Sequence, residues 1–410
     1  PGITFQGGTF RFIGKAGEDS GEELGVATFN GGASAMDVVN GAGPGSSSEI
    51  RFSAAAFVNG MIKFTASNGT LGAPGANPRV YFNSGMTLGA VVPYATVGNA
   101  PAYYDATYGI RAYTLAEGTE FDGTSMQQTS LDTVYTVKNN HLPLIAAKTI
   151  NSIWIDSPGE GYAVDLGSSN TYHLTVSSGG INLTGTDDFA FVRSGTSAGG
   201  LLRGGNQPLY VGVADPGATL RMGVPITNGT GGLYKDGAGA LELDAANPFT
   251  GAMEINDGLV KYGASGDLNG NALLIWGDGV FDFAGKTDTL GAVYVYSGFL
   301  TNSAGGGALT ISTLALGGGP AGSAARVDTG TGTLKLGNTV TYANANDPET
   351  AVLNGSVNLN GATRTFTVYN SLAPGTDVDL DVPAAIAGGA NQGIYKTGAG
   401  VLRLRGINTF

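Results

Sequence analysis

The sequence has no cysteine, so it can form neither a disulfide nor a thiolate metal site. Charge is also scarce. Charged residues make up 13%, against roughly 25% in an average soluble domain. The net charge of −12 argues against nucleic acid or an anionic membrane as partner, because both repel an acidic surface. No apolar run approaches the ~20 residues of a membrane span, so no membrane insertion is expected in this segment. There is no clean 3.6-period stretch with helix caps. The chain opens at Pro1 without Met or a signal peptide, and it is expected to be a processed product or an excerpt of something longer.

Glycine, by contrast, is abundant: 70 of 410 residues. Each glycine in a strand interior costs roughly 0.5–1 kcal/mol against Ala, and 70 of them placed there would exceed a net stability of about 5–15 kcal/mol. Most are therefore expected in turns or at close approaches. A hydrophobic content of 42% is too high for a disordered chain.

The most informative stretch runs from Gly232 to Leu259, GLYKDGAGALELDAANPFTGAMEINDGL. Leu241 and Leu243 alternate with Glu242 in the period-2 pattern of a half-buried strand. Gly237-Ala238-Gly239 before it supplies the reversal. The phrase returns as GIYKTGAGVLRLRGINTF, Gly393 to Phe410, at an offset of 393 − 232 = 161. Gly232, Lys235, Gly237, Gly239, Leu241, Leu243, Asn247 and Phe249 match Gly393, Lys396, Gly398, Gly400, Leu402, Leu404, Asn408 and Phe410. Gly251 falls beyond the second copy. An ungapped internal repeat of this kind signals a solenoid.

The pattern G-L-x-K-x-G-A-G-x-L-x-L-x-x-x-N-x-F-x-G resembles the autotransporter-associated β-strand repeat of passenger segments and very large exported bacterial proteins. Residues 231–262 match it well, 392–410 match as far as the chain goes, and looser similarity includes Thr96–Thr114. The resemblance implies an all-β, right-handed parallel β-solenoid (β-helix) outside the cell, and it implies no catalytic residues.

Three segments are expected: 1–115 with a Tyr-rich stretch, 116–230 as middle rungs, and 231–410 bounded by the two copies of the phrase. Short strands recur throughout, among them Met36 to Val39, Val134 to Val137, Ile181 to Leu183, Val293 to Tyr296 and Arg364 to Val368. Asn139-Asn140 and Pro158-Gly159 read as turns. Gly14 to Gly25, carrying Glu18, Asp19, Glu22 and Glu23, reads as a solvated acidic loop.

Motifs that carry chemistry elsewhere lack their context here. Gly195 to Gly199 fits G-x-S-x-G, but no helix follows. GVFDFAGKT, from Gly279 to Thr287, encloses five residues between its glycines where a P-loop has four, and a strand follows it. Asp187-Asp188 fits the paired carboxylates of glycoside hydrolysis. The Gly-His-Gly and Arg-x-Lys segments that accompany such a pair in pectin-degrading β-helix enzymes are missing, and the only histidines are His141 and His173. Asp377, Asp379 and Asp381 alternate with Val378, Leu380 and Val382, as three outward carboxylates that would hold Ca²⁺ weakly or simply be solvated. Tyr103, Tyr104 and Tyr108 are the candidates for glycan contact.

The leading expectation is a structural protein of the exterior or cell surface: a solenoid spacer or fibre module with no catalytic residue and no cofactor. Placing Pro1-Gly2 after Phe410 aligns Gly2 with Gly251, and neither end shows a capping helix, so the unit is expected to continue head to tail with copies of itself. The alternatives are an adhesin binding extracellular glycans and, third, a β-helix enzyme degrading polysaccharide.

Overall fold

The computed structural model describes residues 1–121, 134–137, 146–156, 161–167, 169, 171–193, 201–205, 207–266, 268 and 270–410. Among these there is no helix, and the chain is an all-β parallel solenoid. It divides into two compact units, Pro1–Ala218 and Thr219–Phe410.

In the first unit successive strands alternate between two sheets, which makes each pair of strands one rung. Ile3–Phe5, Ser20–Phe29, Ser48–Phe57 and Arg79–Phe82 stack in one sheet, and Gly8–Ile13, Ala33–Val39, Met61–Ser67 and Ala90–Val97 in the other. The pairing is parallel and in register, so like side chains pile up. Phe5, Phe29 and Phe57 are register partners with ring centroids 5.0 and 4.6 Å apart. Phe52 stacks on Phe82 at 5.3 Å. Such ladders combine burial with offset stacking, worth about 0.5–1.5 kcal/mol per pair beyond area. From Lys148 onward a rung has three strands, as in Lys148–Ile150, Ser152–Asp156 and Tyr162–Asp165. Ile153, Ile181 and Val211 share one buried column there.

Two features of this unit depart from the sequence reading. The stretch read as an acidic loop is a strand from Ser20, with Glu22 opposite Ile50 and Glu23 opposite Arg51. A parallel ladder joins main chains, so the exposed side chains of Glu22 and Glu23 do not oppose it. The second departure is a reversal of direction. Ala90–Val97 and Ala100–Asp105 are antiparallel, with Val97 opposite Ala100, and Gly109–Ala112 returns antiparallel again. Gly98, at φ +60°, makes the tight turn.

The second unit stacks rungs more regularly. One inward column runs Leu233, Met253, Leu273, Val293, Leu314, Val340, Phe366 and Lys396. Another runs Leu220, Leu241, Val260, Phe281, Leu300, Val327 and Leu353. Nearly all of these apolar residues have no exposed surface, and burying each stabilises the fold by about 1.5–3 kcal/mol. The two copies of the repeat phrase lie in the same sheet seven rung steps apart. Lys396 ends the column that Leu233 begins, two positions out of phase with Lys235. A shift of two keeps the same face inward.

Candidate functional site

The first copy shows what each residue of the phrase does once a rung lies over it. Lys235 alternates inward with Leu233 and is fully buried. Its ammonium is caged by backbone carbonyls, donating to Asp236 O at 2.9 Å, Gly237 O at 2.5 Å and Asp257 O at 3.2 Å. Asp257 belongs to the next rung, so the lysine ties one turn to its successor. Burial pushes its pKa down to about 8, with Asp236 and Asp257 opposing the drop. Gly237 takes φ +79°, which a residue with a Cβ adopts only at a cost. Gly239 O accepts from Leu259 N. Leu241 and Leu243 have no exposed surface, and Phe249 has 2%. Asn247 Oδ1 accepts from Ile226 N of the previous rung while Nδ2 holds Ala245 O. A Cβ on Gly232 would lie 2.5 Å from Ala252 O, and one on Gly251 would lie 2.5 Å from Gly231 backbone. These two glycines are where adjacent rungs touch.

The second copy keeps the asparagine's bond to the previous rung and the lysine's bonds to its own turn, and it lacks the contacts made forward. Lys396 donates to Thr397 O at 3.4 Å and Gly398 O at 2.7 Å and is exposed. Gly398 takes φ +82°, and Gly400 N donates to Val368 O. Asn408 Oδ1 accepts from Ile386 N at 3.0 Å, the counterpart of Asn247. A Cβ on Gly393 would meet nothing nearer than Thr363 Oγ1 at 4.0 Å, where one on Gly232 would strike the next rung. Leu402 is half-buried, Leu404 is exposed, and Phe410 is 42% exposed against 2% for Phe249. Tyr395 and Ile407 are exposed beside them. Among the described residues no strand pairs with the outer edges of Ile394–Thr397 and Leu402–Leu404.

The three tyrosines separate. Tyr104 is in the core, not on the surface. Its hydroxyl donates to Phe82 O and accepts from Phe82 N, a contact possible because the antiparallel return turns its strand toward the Phe82 rung. Tyr108 lies under the Arg79 guanidinium at 5.8 Å. Tyr103 carries the Arg111 guanidinium 4.3 Å over its ring and stands 5.8 Å from Tyr113.

The aspartate row is also different from its sequence pattern. The strand there is only Leu380–Val382, so alternation does not extend back to Asp377, and only Asp377 is exposed. Asp379 is buried and accepts from Ser371 N at 2.6 Å and Val401 N at 2.7 Å. Asp381 accepts from both Arg403 and Arg405. Those hydrogen bonds hold its carboxyl down to about 2. Both carboxylates are thus committed to the chain, and among the described residues no three acidic or imidazole groups converge on a metal position.

Asp187-Asp188 lies in the turn between Gly180–Thr184 and Phe189–Val192. His173 opens a strand with its Nδ1 3.1 Å from Thr171 O. Asp282, within the P-loop-like stretch, is a buried turn anchor accepting from Ala284 N and Ser303 N, and the strand Thr287–Val295 follows. His141, Asn139-Asn140, Pro158-Gly159 and Gly195–Gly199 lie outside the described residues.

Two features were not legible in the sequence: the ion network at Arg111, which joins Asp105 and Glu117, and the contact between Trp154, Val91 and Tyr113. Distance in sequence hides the Trp154 contact, and the ion network, though local, takes its geometry from the antiparallel return of Gly109–Ala112. No family model, no curated protein and no solved structure matches the chain.

Proposed function

We propose that the chain is a structural module of the cell exterior, a β-solenoid spacer that continues head to tail, rung upon rung. The observation that carries this reading is the asymmetry between the two copies of the repeat phrase. Wherever Gly232, Lys235, Leu241 and Phe249 meet the next rung, Gly393, Lys396, Leu402 and Phe410 meet solvent. The first copy therefore specifies what fits over the second: another rung, supplied by continuing sequence or by a further copy. Among the described residues Ile3–Phe5 and Gly8–Ile13 are likewise paired on one side only, with Ile13 64% exposed. An unpaired parallel edge is a template for a further strand, and a contact between two different surfaces propagates without closing. The exterior location rests on the likeness of the phrase to exported β-strand repeats. No residue is assigned a catalytic role, and the mechanism is mechanical: at ~4.8 Å per rung, each added rung extends the module.

A proline on the outer edge tests the reading. Val401 O and Arg405 N serve the inner ladder, so by the alternation of a parallel ladder the Leu404 N–H faces outward. Leu404→Pro removes that donor and leaves the inner pairing alone. The expected result is loss of self-association in a chain that keeps its strand circular-dichroism signal. Association undiminished by Leu404→Pro would sink the proposal.

A further inference from the structure

The one place in the first unit where parallel stacking gives way to antiparallel strands also holds a cavity of about 240 Å³. Val91 and Tyr103, direct partners across the hairpin, form one wall. Tyr113, Glu117 and Asn151 complete it. Behind them Val91 and Tyr113 pack on Trp154, whose indole N–H donates to Thr184 Oγ1 at 2.9 Å, so the aromatic wall is backed by the solenoid.

The polar groups are placed with little freedom. Glu117 accepts from Arg111 Nη1 at 3.0 Å and Nη2 at 2.6 Å, and from Thr114 N and Oγ1 at 2.9 and 2.8 Å. Arg111 is in turn held by Asp105 at 3.3 Å and covers one face of Tyr103. Asn151 Oδ1 is buried without a hydrogen-bond partner, a state that costs about 1–3 kcal/mol and calls for an explanation. Among the described residues neither the Tyr103 nor the Tyr113 hydroxyl makes a hydrogen bond.

These features select a ligand class. The volume has room for one six-membered ring. Tyrosine rings and Val91 call for an apolar face. Asn151 Oδ1 and Glu117 call for donors, and two free hydroxyls take either role. An anion would meet the ionised Glu117, and a cation would meet the Arg111 guanidinium already seated on Tyr103. A purely apolar molecule would leave Asn151 Oδ1 unsatisfied. We propose that this cavity binds a single neutral pyranose ring, its C–H face against the tyrosines and its hydroxyls donating to Glu117 and Asn151. This site goes beyond the spacer reading. It keeps Tyr103 and replaces the buried Tyr104 and the Arg79-covered Tyr108 with Tyr113, Glu117 and Asn151. A ligand of about a dozen non-hydrogen atoms held this way binds with a Kd of about 1 mM.

Saturation-transfer NMR on the whole chain with D-glucose, D-galactose and N-acetyl-D-glucosamine, each at about 10 mM, tests the assignment. Transfer to the ring C–H protons of at least one sugar is expected. Tyr103→Ala should abolish it, Tyr103→Phe should keep it, and Asn151→Ala should weaken it about tenfold. Tyr395→Ala, far along the sequence, should leave it unchanged. If circular dichroism shows Tyr103→Ala unfolded, Asn151→Ala decides alone: weakened transfer supports the site and unchanged transfer overturns it. No transfer to any of the three sugars, transfer that survives in folded Tyr103→Ala, or binding of tetramethylammonium in their place would each overturn the proposal.

Discussion

Lys235 carries more of the architecture than any other polar side chain of the repeat phrase. Its pKa falls from 10.5 to about 8 because burial disfavours the ammonium. In the folded state the proton is therefore lost earlier than in the unfolded one, and the penalty is fully present below about pH 8. Stability should rise as pH climbs from about 8 toward 10.5, where the unfolded chain still binds the proton. Urea midpoints at about pH 7 and about pH 9.5 should show this rise for the wild type and not for Lys235→Met; parallel profiles would contradict it. Asp381 works the other way. Arg403 and Arg405 hold its carboxyl down to about 2, so its contribution is complete above the ordinary value of 3.8 and is lost as pH falls toward 2. Asp381→Asn should flatten the acid limb of the stability curve, and an unchanged limb would refute the assignment. Sequence shows Lys235 at an inward period-2 position beside Leu233. What it hides is the third carbonyl, Asp257 O, which arrives only when the next rung stacks.

At the level of strands and turns, glycine spacing decides what fits. A Cβ at Gly258, φ +68°, would lie 2.3 Å from Gly237 O, whereas Gly270, φ +92°, has open space around it. Both substitutions carry the left-handed strain of about 1 kcal/mol, but only Gly258→Ala also forces two rungs apart. Gly258→Ala should lower the urea midpoint at least twice as far as Gly270→Ala, and equal shifts would show that rung contact is not what requires glycine there. Period-2 patterns made most strands readable, because inward Leu, Val and Phe repeat strictly. The antiparallel hairpin was signalled only by Gly98-Asn99 between apolar runs, a cue weak beside so many glycine turns. The Asp377–Asp381 row misled because alternation in sequence holds only where a strand exists, and that strand is three residues long. The cavity was illegible because Val91, Tyr103, Glu117 and Asn151 meet only through the hairpin.

For the molecule as a whole, the 161-residue offset pointed to a solenoid without revealing its period. Along the column that Leu233 begins, rung steps run from 20 residues, Leu233 to Met253, up to 30, Phe366 to Lys396. Turns of such different length leave the inward columns intact, since a column asks only for an apolar side chain at each level. The repeat phrase recurs where its lysine and glycines are needed again, seven rung steps on. If the edge formed by Ile394–Thr397 and Leu402–Leu404 receives another rung, the chain associates with itself. Sedimentation-equilibrium mass of the 410-residue chain, taken from about 1 to about 100 µM, tests it most directly. The expected result is an average mass that climbs without a plateau above 41.2 kDa and returns to that value in Leu404→Pro. A constant 41.2 kDa at every concentration, or a plateau at twice that mass, would contradict it.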